Sequence, residues 1–468
     1  MIDTFSIRCS ILRLAFSGML SEQREAEGTA KELLLRISPQ KNIEQTENTP
    51  YEIPASWAWV RIADLYKINP KVEASGTTEA AFIPMERISA GFDSSFSYET
   101  QSWEQASKNH TKFANDDVAF AKITPCFENR KSFIAQGLPN GIGGGTTELI
   151  ILRQSEMLPE YTYYLLLDQR FISTGKASYK GTVGQQRVES DVVKNYLVPV
   201  PPYTEQRRIV ERIKQAFSVL DTIDVLQAQY ADNLTVLKSK LIDAAIQGKL
   251  TEQLLEDGTA EELYHQVQAE RKRQEEAGTI KSVELAADVA EADQPFAIPA
   301  TWKWTHLGDV SYIVRGGSPR PIKQYITTRE DGINWIKIGD VEKGGKYIYS
   351  THEKIIPEGE SKSRRVYPGD FLLTNSMSFG RPYISKIEGC IHDGWLLIHD
   401  LTGFDSDYLY YLLSSTYLYG QFSVKASGST VDNLNIDKVK AAVIPLPPLA
   451  EQKRIAHKID ELLQALEE

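Results

Sequence analysis

The side chains best suited to chemistry in this sequence are hydrogen-bonding groups on glycine-containing stretches. The densest stretch runs from Lys180 to Arg187, and its glycines would let the backbone approach another molecule closely. Arg and Lys can hydrogen-bond to guanine, and Asn and Gln to adenine, so this composition suits the reading of base edges. The candidate residues of this stretch are Lys180, Thr182, Gln185, Gln186 and Arg187.

Other polar stretches follow the same logic. Lys425–Asn433 would occupy the corresponding place in the second half of the chain. A second polar stretch follows a predicted central strand in each half. A third, Arg315–Arg320, is clear only in the second half. Each stretch has an alternative interpretation as a solvated surface loop. That interpretation is favoured for any single residue, whereas base contact is favoured for each loop as a whole, because corresponding positions are polar and glycine-rich yet differ in identity. The candidates are Lys122, Thr124, Asn129, Arg130 and Lys131; Asn375, Ser376, Ser378 and Arg381; Lys425, Ser429, Thr430 and Asn433; and Arg315, Ser318 and Arg320.

Two segments resemble catalytic or cofactor-binding motifs but lack the features that those motifs require. Val200-Pro201-Pro202-Tyr203 is similar to an adenine-methyltransferase motif, but a valine side chain cannot accept the hydrogen bond that its Asp or Asn accepts. The run Gly141–Gly145 leads into a predicted strand, whereas a cofactor loop opens a helix. No Cys/His spacing suits zinc. Tryptophans 57, 59, 302 and 304 could stack on bases, but their fixed places after Ile-Pro favour core anchors. The sequence therefore predicts a chain whose catalysis comes from partners.

Composition sets the broad class. The 468 residues, with 41% hydrophobic and 25% charged residues, are typical of a globular chain of about three domains. No apolar run approaches the ~18 residues of a membrane helix, and three scattered cysteines fit a reducing cytoplasm. The net charge of −11 disfavours nucleic acid at first sight, but Glu252–Asp293 alone has 12 acidic and four basic residues. Total charge is therefore not decisive.

An internal repeat organises the chain. Each of three motifs occurs twice in similar form, which predicts two related halves with one head each. The two half-sites of a DNA sequence are one of the few targets that need two such heads. The paired segments are Ile53–Trp57 and Ile298–Trp302, Pro199–Ile209 and Pro445–Ile455, and Phe16–Gln23 and Ile246–Gln253.

A long helix is predicted between the halves. From Thr204 to Leu250 there is no proline, and apolar residues recur every three or four positions. A rod of this kind needs a partner helix. The C-terminal run from Leu449 aligns with its beginning, and the N-terminal run from Met1 aligns with its later part. We therefore expect an antiparallel pair of rods, one continuous and one split, with the chain ends near each other.

These patterns predict an α+β fold. Two similar mixed α/β domains would be separated by a long antiparallel coiled coil, as a pseudo-two-fold, circularly permuted repeat. Helix-like segments are expected at Glu160–Phe171 and Phe404–Phe422, and a frayed helix or linker at Glu270–Asp293. The predicted parts are an N-terminal helical segment 1–48, a first head 49–202, the long helix and acidic linker 203–294, a second head 295–448 and a C-terminal helix 449–468.

The ordered motifs resemble a known family. The Pro-Pro-x-x-Glu-Gln-x-x-Ile start of each long helix, the helix end Ala244–Leu250 and the Ile-Pro-x-x-Trp entry to each domain look like the specificity subunit of type I restriction–modification systems. The resemblance covers essentially the whole chain. It implies that each mixed domain is a target recognition domain, which reads one half of a bipartite DNA site. It also implies that the helix pair fixes the distance between the two domains, as a ruler, and binds the methyltransferase subunits.

The resemblance further implies a non-catalytic, cytoplasmic subunit with no membrane partner. Its expected partners are double-stranded DNA, two adenine-methyltransferase (modification) subunits and, through the complex, restriction/translocase subunits. No cofactor is expected in this chain, because S-adenosylmethionine and ATP with Mg would belong to the partners. The alternatives are a self-sufficient DNA methyltransferase or nuclease with unrecognised motifs, and a protein-assembly scaffold that does not bind DNA.

Overall fold

The computed structural model describes residues 1–37, 49–154, 156–182, 184–342, 344–375, 380–423 and 434–467. The chain divides into two compact units, Met1–Gln229 and Tyr230–Glu468. One 44-residue helix runs through the boundary and contributes to both units, with a length of about 66 Å at 1.5 Å per residue.

The first unit is a mixed domain joined to helices. Its helices are α1 (Thr4–Phe16), α2 (Ala30–Ile37), α3 (Ile62–Leu65), α4 (Trp103–Ser107), α5 (Pro159–Leu167), α6 (Gln169–Ala177), α7 (Ser190–Asn195) and the first part of α8 (Tyr203–Ile246). Its strands are β1 (Ala58–Arg61), β2 (Lys67–Ile68), β3 (Glu79–Ile83), β4 (Glu99–Ser102), β5 (Thr111–Ala114), β6 (Val118–Ala121), β7 (Ser132–Ile134), β8 (Ile142–Gly145), β9 (Leu149–Arg153) and β10 (Leu197–Val200).

Two four-stranded sheets and a two-stranded ribbon build this domain. The sheets have the orders β2-β9-β6-β7 and β4-β3-β8-β5, and β1 pairs with β10. Only β3 and β8 run parallel among these pairs. The run Gly141–Gly145 is predicted to lead into a strand, but Ile142–Gly145 are themselves strand β8. It is glycine-rich because α4 lies against it: a Cβ on Gly144 would be 1.8 Å from the Ala106 carbonyl oxygen.

The second unit repeats this plan with additions. Its helices are the rest of α8, then α9 (Ala260–Glu276), α10 (Leu307–Val310), α11 (Ser406–Ser414), α12 (Thr416–Ser423), α13 (Ile436–Lys440) and α14 (Leu449–Ala465). Its strands are β11 (Lys303–His306), β12 (Ser311–Arg315), β13 (Ile326–Thr327), β14 (Ile333–Ile336), β15 (Tyr347–Ile348), β16 (Glu353–Ile355), β17 (Arg364–Val366), β18 (Phe371–Thr374), β19 (Pro382–Ser385), β20 (Gly389–Ile391), β21 (Trp395–Asp400) and β22 (Val443–Leu446).

The sheets of the second unit match those of the first strand by strand. Their orders are β12-β21-β18-β19-β15 and β13-β16-β14-β20-β17, and β11 pairs with β22. The pair β14–β20 is parallel, like β3–β8. Each larger sheet has one extra edge strand, β15 or β13. The prediction of two similar mixed domains is confirmed.

A buried carboxylate joins three separate segments of the first unit. Glu205, in the first turn of α8, is 2% exposed. It accepts hydrogen bonds from Ser21 Oγ at 2.8 Å, Gln23 Nε2 at 2.7 Å and Trp57 Nε1 at 2.8 Å. The three motifs that the repeat analysis selected therefore meet at one atom group.

The second unit builds the same cluster from its own copies. Glu451, 1% exposed in the first turn of α14, accepts from Thr251 Oγ1 at 3.0 Å, Gln253 Nε2 at 2.5 Å and Trp302 Nε1 at 2.8 Å. All four repeat tryptophans are 5–7% exposed, which confirms them as core residues. We call these two groups the Glu205 cluster and the Glu451 cluster.

Each part of α8 has an antiparallel partner in its own unit. In the first unit, Arg8 of α1 pairs with Asp221 at 2.6 Å, and Thr4 bonds to Asp224 at 2.5 Å. In the second unit, Lys238 pairs at 2.6 Å with Glu467, just beyond α14. Each end of the chain therefore packs against the part of α8 in its own unit, and the joining of both ends into one rod stays a prediction.

Other helical expectations need correction. The stripe on α8 is buried at Ile213 and Leu220, but Leu226, Tyr230 and Leu237 are 57%, 61% and 47% exposed, so it is not covered along its length. The helix ends at Ile246, before Leu250. The two aromatic segments are each two helices, because extended residues 168 and 415 separate them. The segment Glu270–Asp293, expected to be a frayed helix end or a linker, needs no correction, since it contains the end of α9 at Glu276.

An ion pair at corresponding positions differs between the units. Asp117 and Asp370 each precede the central strand of a sheet and are almost fully buried. Arg153 holds Asp117 through two hydrogen bonds of 2.5 and 2.6 Å. His399 replaces it in the second unit, with Nδ1 2.6 Å from Asp370 Oδ1. The first cation is permanent, whereas the second can lose its proton.

Replacing Glu205 by Gln should lower the free energy of unfolding of the first unit by about 2 kcal/mol, because three donors lose a charged acceptor. Trp57→Phe removes one of those donors, so the double variant should lose less than the sum of the single losses. Chemical denaturation of the full chain measures this, with Glu451→Gln as the matched change in the second unit. Equal losses in both units from either single variant would contradict a local cluster.

The second unit should lose stability as pH rises through neutrality. The hydrogen bond to Asp370 raises the pKa of His399 above its ordinary 6.5, although burial opposes this. Burial raises the pKa of the adjacent Asp400 to about 6; Asp370 and Glu270 are the other acids that face His399. A raised folded pKa contributes stability below the unfolded value, which is lost as pH rises through the folded value.

We therefore expect the denaturant concentration at the unfolding midpoint of the second unit to decrease as the pH is raised from about 6 to about 8. His399→Arg should remove much of that slope, since its cation does not titrate. The first unit, with Arg153, is the internal control. An unchanged slope in the variant would show that His399 is not its source.

Candidate nucleic-acid interface

The two predicted loops of the first head lie together. Val188 donates its backbone N–H to the Lys122 carbonyl at 2.9 Å, and Thr124 donates to the Gln186 carbonyl at 2.9 Å. The Thr124 hydroxyl accepts in return from the Gln186 N–H at 3.1 Å. The stretch after β6 and the stretch 180–187 therefore form one surface.

The two ends of the stretch 180–187 are paired as in a narrow turn, and residue 183 lies outside the described residues. Lys180 and Arg187 exchange both backbone hydrogen bonds, at 3.1 and 2.9 Å. Gly181 and Gly184 have φ of +120° and +86°, which few other residues tolerate. Thr182 and Gln185 lie between the two ends and are exposed. This turn presents its polar side chains to solvent.

A carboxylate that the sequence analysis missed controls the main cation of this surface. Glu148 takes a bidentate contact from Arg187, with Nη2–Oε1 2.7 Å and Nε–Oε2 2.9 Å. The Arg187 hydrogen bond lowers the pKa of Glu148 below its usual value. Lys180 is similarly paired with Glu189 at 2.6 Å. These cations are held in place, and part of their charge is neutralised.

The residues after β6 divide by exposure. Asn129 is exposed, whereas the Arg130 side chain is buried. Arg130 Nε donates to the Leu167 carbonyl at 3.0 Å, and Nη2 donates to Gln169 Oε1 at 2.7 Å. Lys131 Nζ donates to a backbone carbonyl at 2.9 Å. Arg130 therefore fixes helices inside the unit and is withdrawn from the surface.

Asp393 organises the corresponding region of the second head. Its carboxylate accepts from Ser318 Oγ at 2.8 Å and lies 3.4 Å from Arg320 Nη2, and its carbonyl accepts from Arg315 Nε at 3.3 Å. The Ser318 hydrogen bond lowers the pKa of Asp393. The loop 315–320 is therefore fixed by one turn, while the Arg320 side chain stays 81% exposed.

Other second-head candidates are placed differently. Asn375 is 1% exposed and belongs to the interior. Arg381 is exposed, and its backbone N–H donates to Thr374 Oγ1 at 3.0 Å. The remaining candidates lie outside the described residues: Ser376, Ser378, Lys425, Ser429, Thr430 and Asn433.

The two heads share one backbone pattern at this surface. Lys122 donates its N–H to the Glu148 carbonyl at 2.8 Å, and Asn375 does the same to Gly394 at 2.8 Å. Leu434 then donates to the Asn375 carbonyl at 2.9 Å, as Val188 does to Lys122. The frame is the same, and the side chains on it differ. No repeat motif contains Glu148 or Asp393, so only the fold reveals their role.

Two negative findings apply to the residues that the structure describes. No group of three or more His, Cys, Asp or Glu side chains there could hold a metal ion. Within the same ranges, none of the helices has the length and apolarity needed to cross a bilayer.

Comparisons with known proteins agree with the repeated architecture. A family model described as the type I restriction modification DNA specificity domain matches residues 54–228 and 299–468. The specificity subunit of the type I restriction enzyme EcoEI of Escherichia coli is 28% identical, over 100% of this chain and 91% of the relative. The EcoAI specificity subunit of Escherichia coli is also 28% identical, over 99% and 90%.

Solved structures share the fold. The HsdS subunit from Thermoanaerobacter tengcongensis matches with a TM-score of 0.53 and 19% identity, over 90% of this chain and 92% of that one. A chain from a structure concerned with complex assembly and conformational transition of the type I R-M system has a TM-score of 0.63 and 19% identity. That match covers 89% of this chain and 92% of the other.

Proposed function

The chain belongs to the family of type I restriction modification DNA specificity domains, and we propose that it is the DNA-specificity subunit of a type I restriction–modification complex. One observation carries the proposal: the two heads share one backbone hydrogen-bond frame, with Lys122, Glu148 and Val188 in the first head and Asn375, Gly394 and Leu434 in the second. Such a pair suits an asymmetric bipartite site, since each head would read its own bases. This function explains the duplication, which a self-sufficient methyltransferase or nuclease would not require.

We assign the two heads to residues 49–202 and 295–448. In the first, the proposed contacts exclude buried Arg130; in the second, they exclude buried Asn375. Arg and Lys would contact phosphates and guanine, and Gln and Asn would contact adenine. The retained contacts are Lys122, Thr124, Asn129, Lys131, Lys180, Thr182, Gln185, Gln186 and Arg187, then Arg315, Ser318, Arg320 and Arg381, with Ser376, Ser378, Lys425, Ser429, Thr430 and Asn433 outside the described residues.

The exposed apolar side chains of α8 support a docking role. Val225 and Leu226 in the first unit are 55% and 57% exposed, and Tyr230 and Val236 in the second are 61% and 51% exposed. Exposed apolar side chains grouped on one helix are typical of interaction surfaces. We propose that each unit docks one adenine-methyltransferase subunit there. S-adenosylmethionine, and ATP with Mg in any restriction/translocase subunits, would then belong to these partners.

Glu148→Gln should raise non-specific DNA affinity by about threefold to tenfold, because it frees Arg187 for phosphate. The salt dependence should steepen by about one ion released. Binding of the complex to unrelated duplexes at several salt concentrations measures both. Glu156→Gln, which removes an exposed carboxylate paired with Arg36 in the same unit, is the control. Equal effects of the two variants would attribute the change to net charge alone.

Exchanging residues 49–202 for the corresponding head of a relative should change one half of the methylated sequence and leave the other half unchanged. The reason is that each unit has its own core and its own glutamate cluster. Mapping of methylated adenines in cells that express the complex reads out both halves. A change in both halves would show that the heads do not act independently.

Duplexes whose half-sites are moved apart by one base pair test the ruler role. The continuous helix α8 should make affinity fall sharply, because one base pair also rotates the half-site about the duplex. Equal affinity for both spacings would rule out a ruler.

A further inference from the structure

The second unit contains a cavity of about 880 Å³ that is lined in part by the proposed contacts Ser318 and Arg320. The loop 318–323 forms much of its lining. Trp335 of β14, Glu353 of β16 and His392, in the turn before β21, complete it together with Lys337. Part of the lining is held in place, because Ser318 is hydrogen-bonded to Asp393.

The lining is rich in rings and aliphatic groups. Pro319, Pro321 and Ile322 contribute from the loop, and Trp335 and His392 contribute aromatic rings whose centroids are 6.3 Å apart. Burial lowers the pKa of His392, and its Nδ1 accepts a hydrogen bond from the Gly394 N–H at 2.7 Å. Trp335 is 2% exposed and only closes the floor of the cavity, so the imidazole of His392 and the prolines of the loop form the surface that suits a planar heteroaromatic ligand.

The same cavity carries excess positive charge. Arg320, Lys323 and Lys337 line it, against the single carboxylate of Glu353. Lys337 is neutralised by Glu353 at 2.8 Å, and Arg320 lies 3.4 Å from Asp393. Within the described part of the chain, Lys323 has no carboxylate at ion-pair distance. Lys323 is thus the cation most available to an anionic group.

We propose that this cavity binds one nucleotide, with its base toward His392 and the prolines of the loop 318–323 and its phosphate toward Lys323 and Arg320. If the nucleotide belongs to the target DNA, the inference rests on the proposed function, and one base leaves the stack at the half-site of this head. Unstacking costs a few kcal/mol, which contacts in the cavity would offset. A free nucleotide has the same chemistry, so the source must be separated by experiment.

The first arm uses the assembled complex and duplexes that carry 2-aminopurine at each adenine of the mapped half-site except the methylated one, which the methyltransferase partner would itself unstack. Unstacking of the fluorescent base at one position should raise its emission. Lys323→Gln should reduce that rise by about fivefold, through loss of a phosphate contact. The matched control is Lys354→Gln, because residue 354 follows the lining residue Glu353 on β16 and points to the opposite face.

The second arm titrates the same complex with each deoxynucleoside monophosphate, measured by calorimetry. A fluorescence rise that Lys323→Gln weakens and Lys354→Gln does not would support a DNA nucleotide. Saturable monophosphate binding with the same variant pattern, and no fluorescence rise, would support a free nucleotide. Absence of both signals, or equal effects of the two variants, would overturn the proposal.

The two hypotheses can fail separately. Wild-type binding to the mapped site, compared with an unrelated duplex, reports on the proposed function alone. If site preference is present while both cavity signals are absent, only the cavity inference falls. If site preference is absent, the DNA-specificity function falls, and the monophosphate titration still decides the cavity.

Discussion

The structure depends on a carboxylate that is buried where each mixed domain turns into a helix. A glutamate excluded from water is tolerated only when its oxygens are hydrogen-bonded. Glu205 meets this requirement with donors from the segment after α1 and from the entry to the head. The helix α8, the segment after α1 and the head are thereby joined at one point. The orientation of the head relative to α8 is therefore a consequence of how the helices pack.

The duplicated unit keeps that constraint and changes what surrounds it. Glu451 has the same three kinds of donor, with threonine in place of serine. The glutamines that follow, Gln206 and Gln452, each donate to a prolyl carbonyl at the preceding corner, at 3.1 and 3.0 Å. The Pro-Pro-x-x-Glu-Gln motif therefore serves to join the head to the helix, and its repetition follows from a repeated mechanical need.

Away from the corner, one frame supports different chemistry. Arg170 stacks 4.3 Å from the ring of Tyr196 and donates to the Leu197 carbonyl at 2.5 Å. In the second unit Tyr417 takes this place and donates to the Val443 carbonyl at 2.7 Å. A guanidinium in one unit and a phenol in the other thus donate to the carbonyl at the same position of the corresponding strand. This tolerance explains how two heads can share a fold while their exposed loops diverge.

The sequence by itself determined the repeat, the long helix, the mixed domains and the buried tryptophans, because each is written in local spacing or in a motif that occurs twice. Tertiary structure decided which candidates are at the surface. Arg130 and Asn375 have the residue types for base contact, but packing buries both. Glu148 and Asp393 belong to no sequence motif, yet Glu148 binds Arg187 and Asp393 holds the loop 315–320. Burial and ion pairing depend on contacts between segments far apart in the chain, and local pattern does not contain that information.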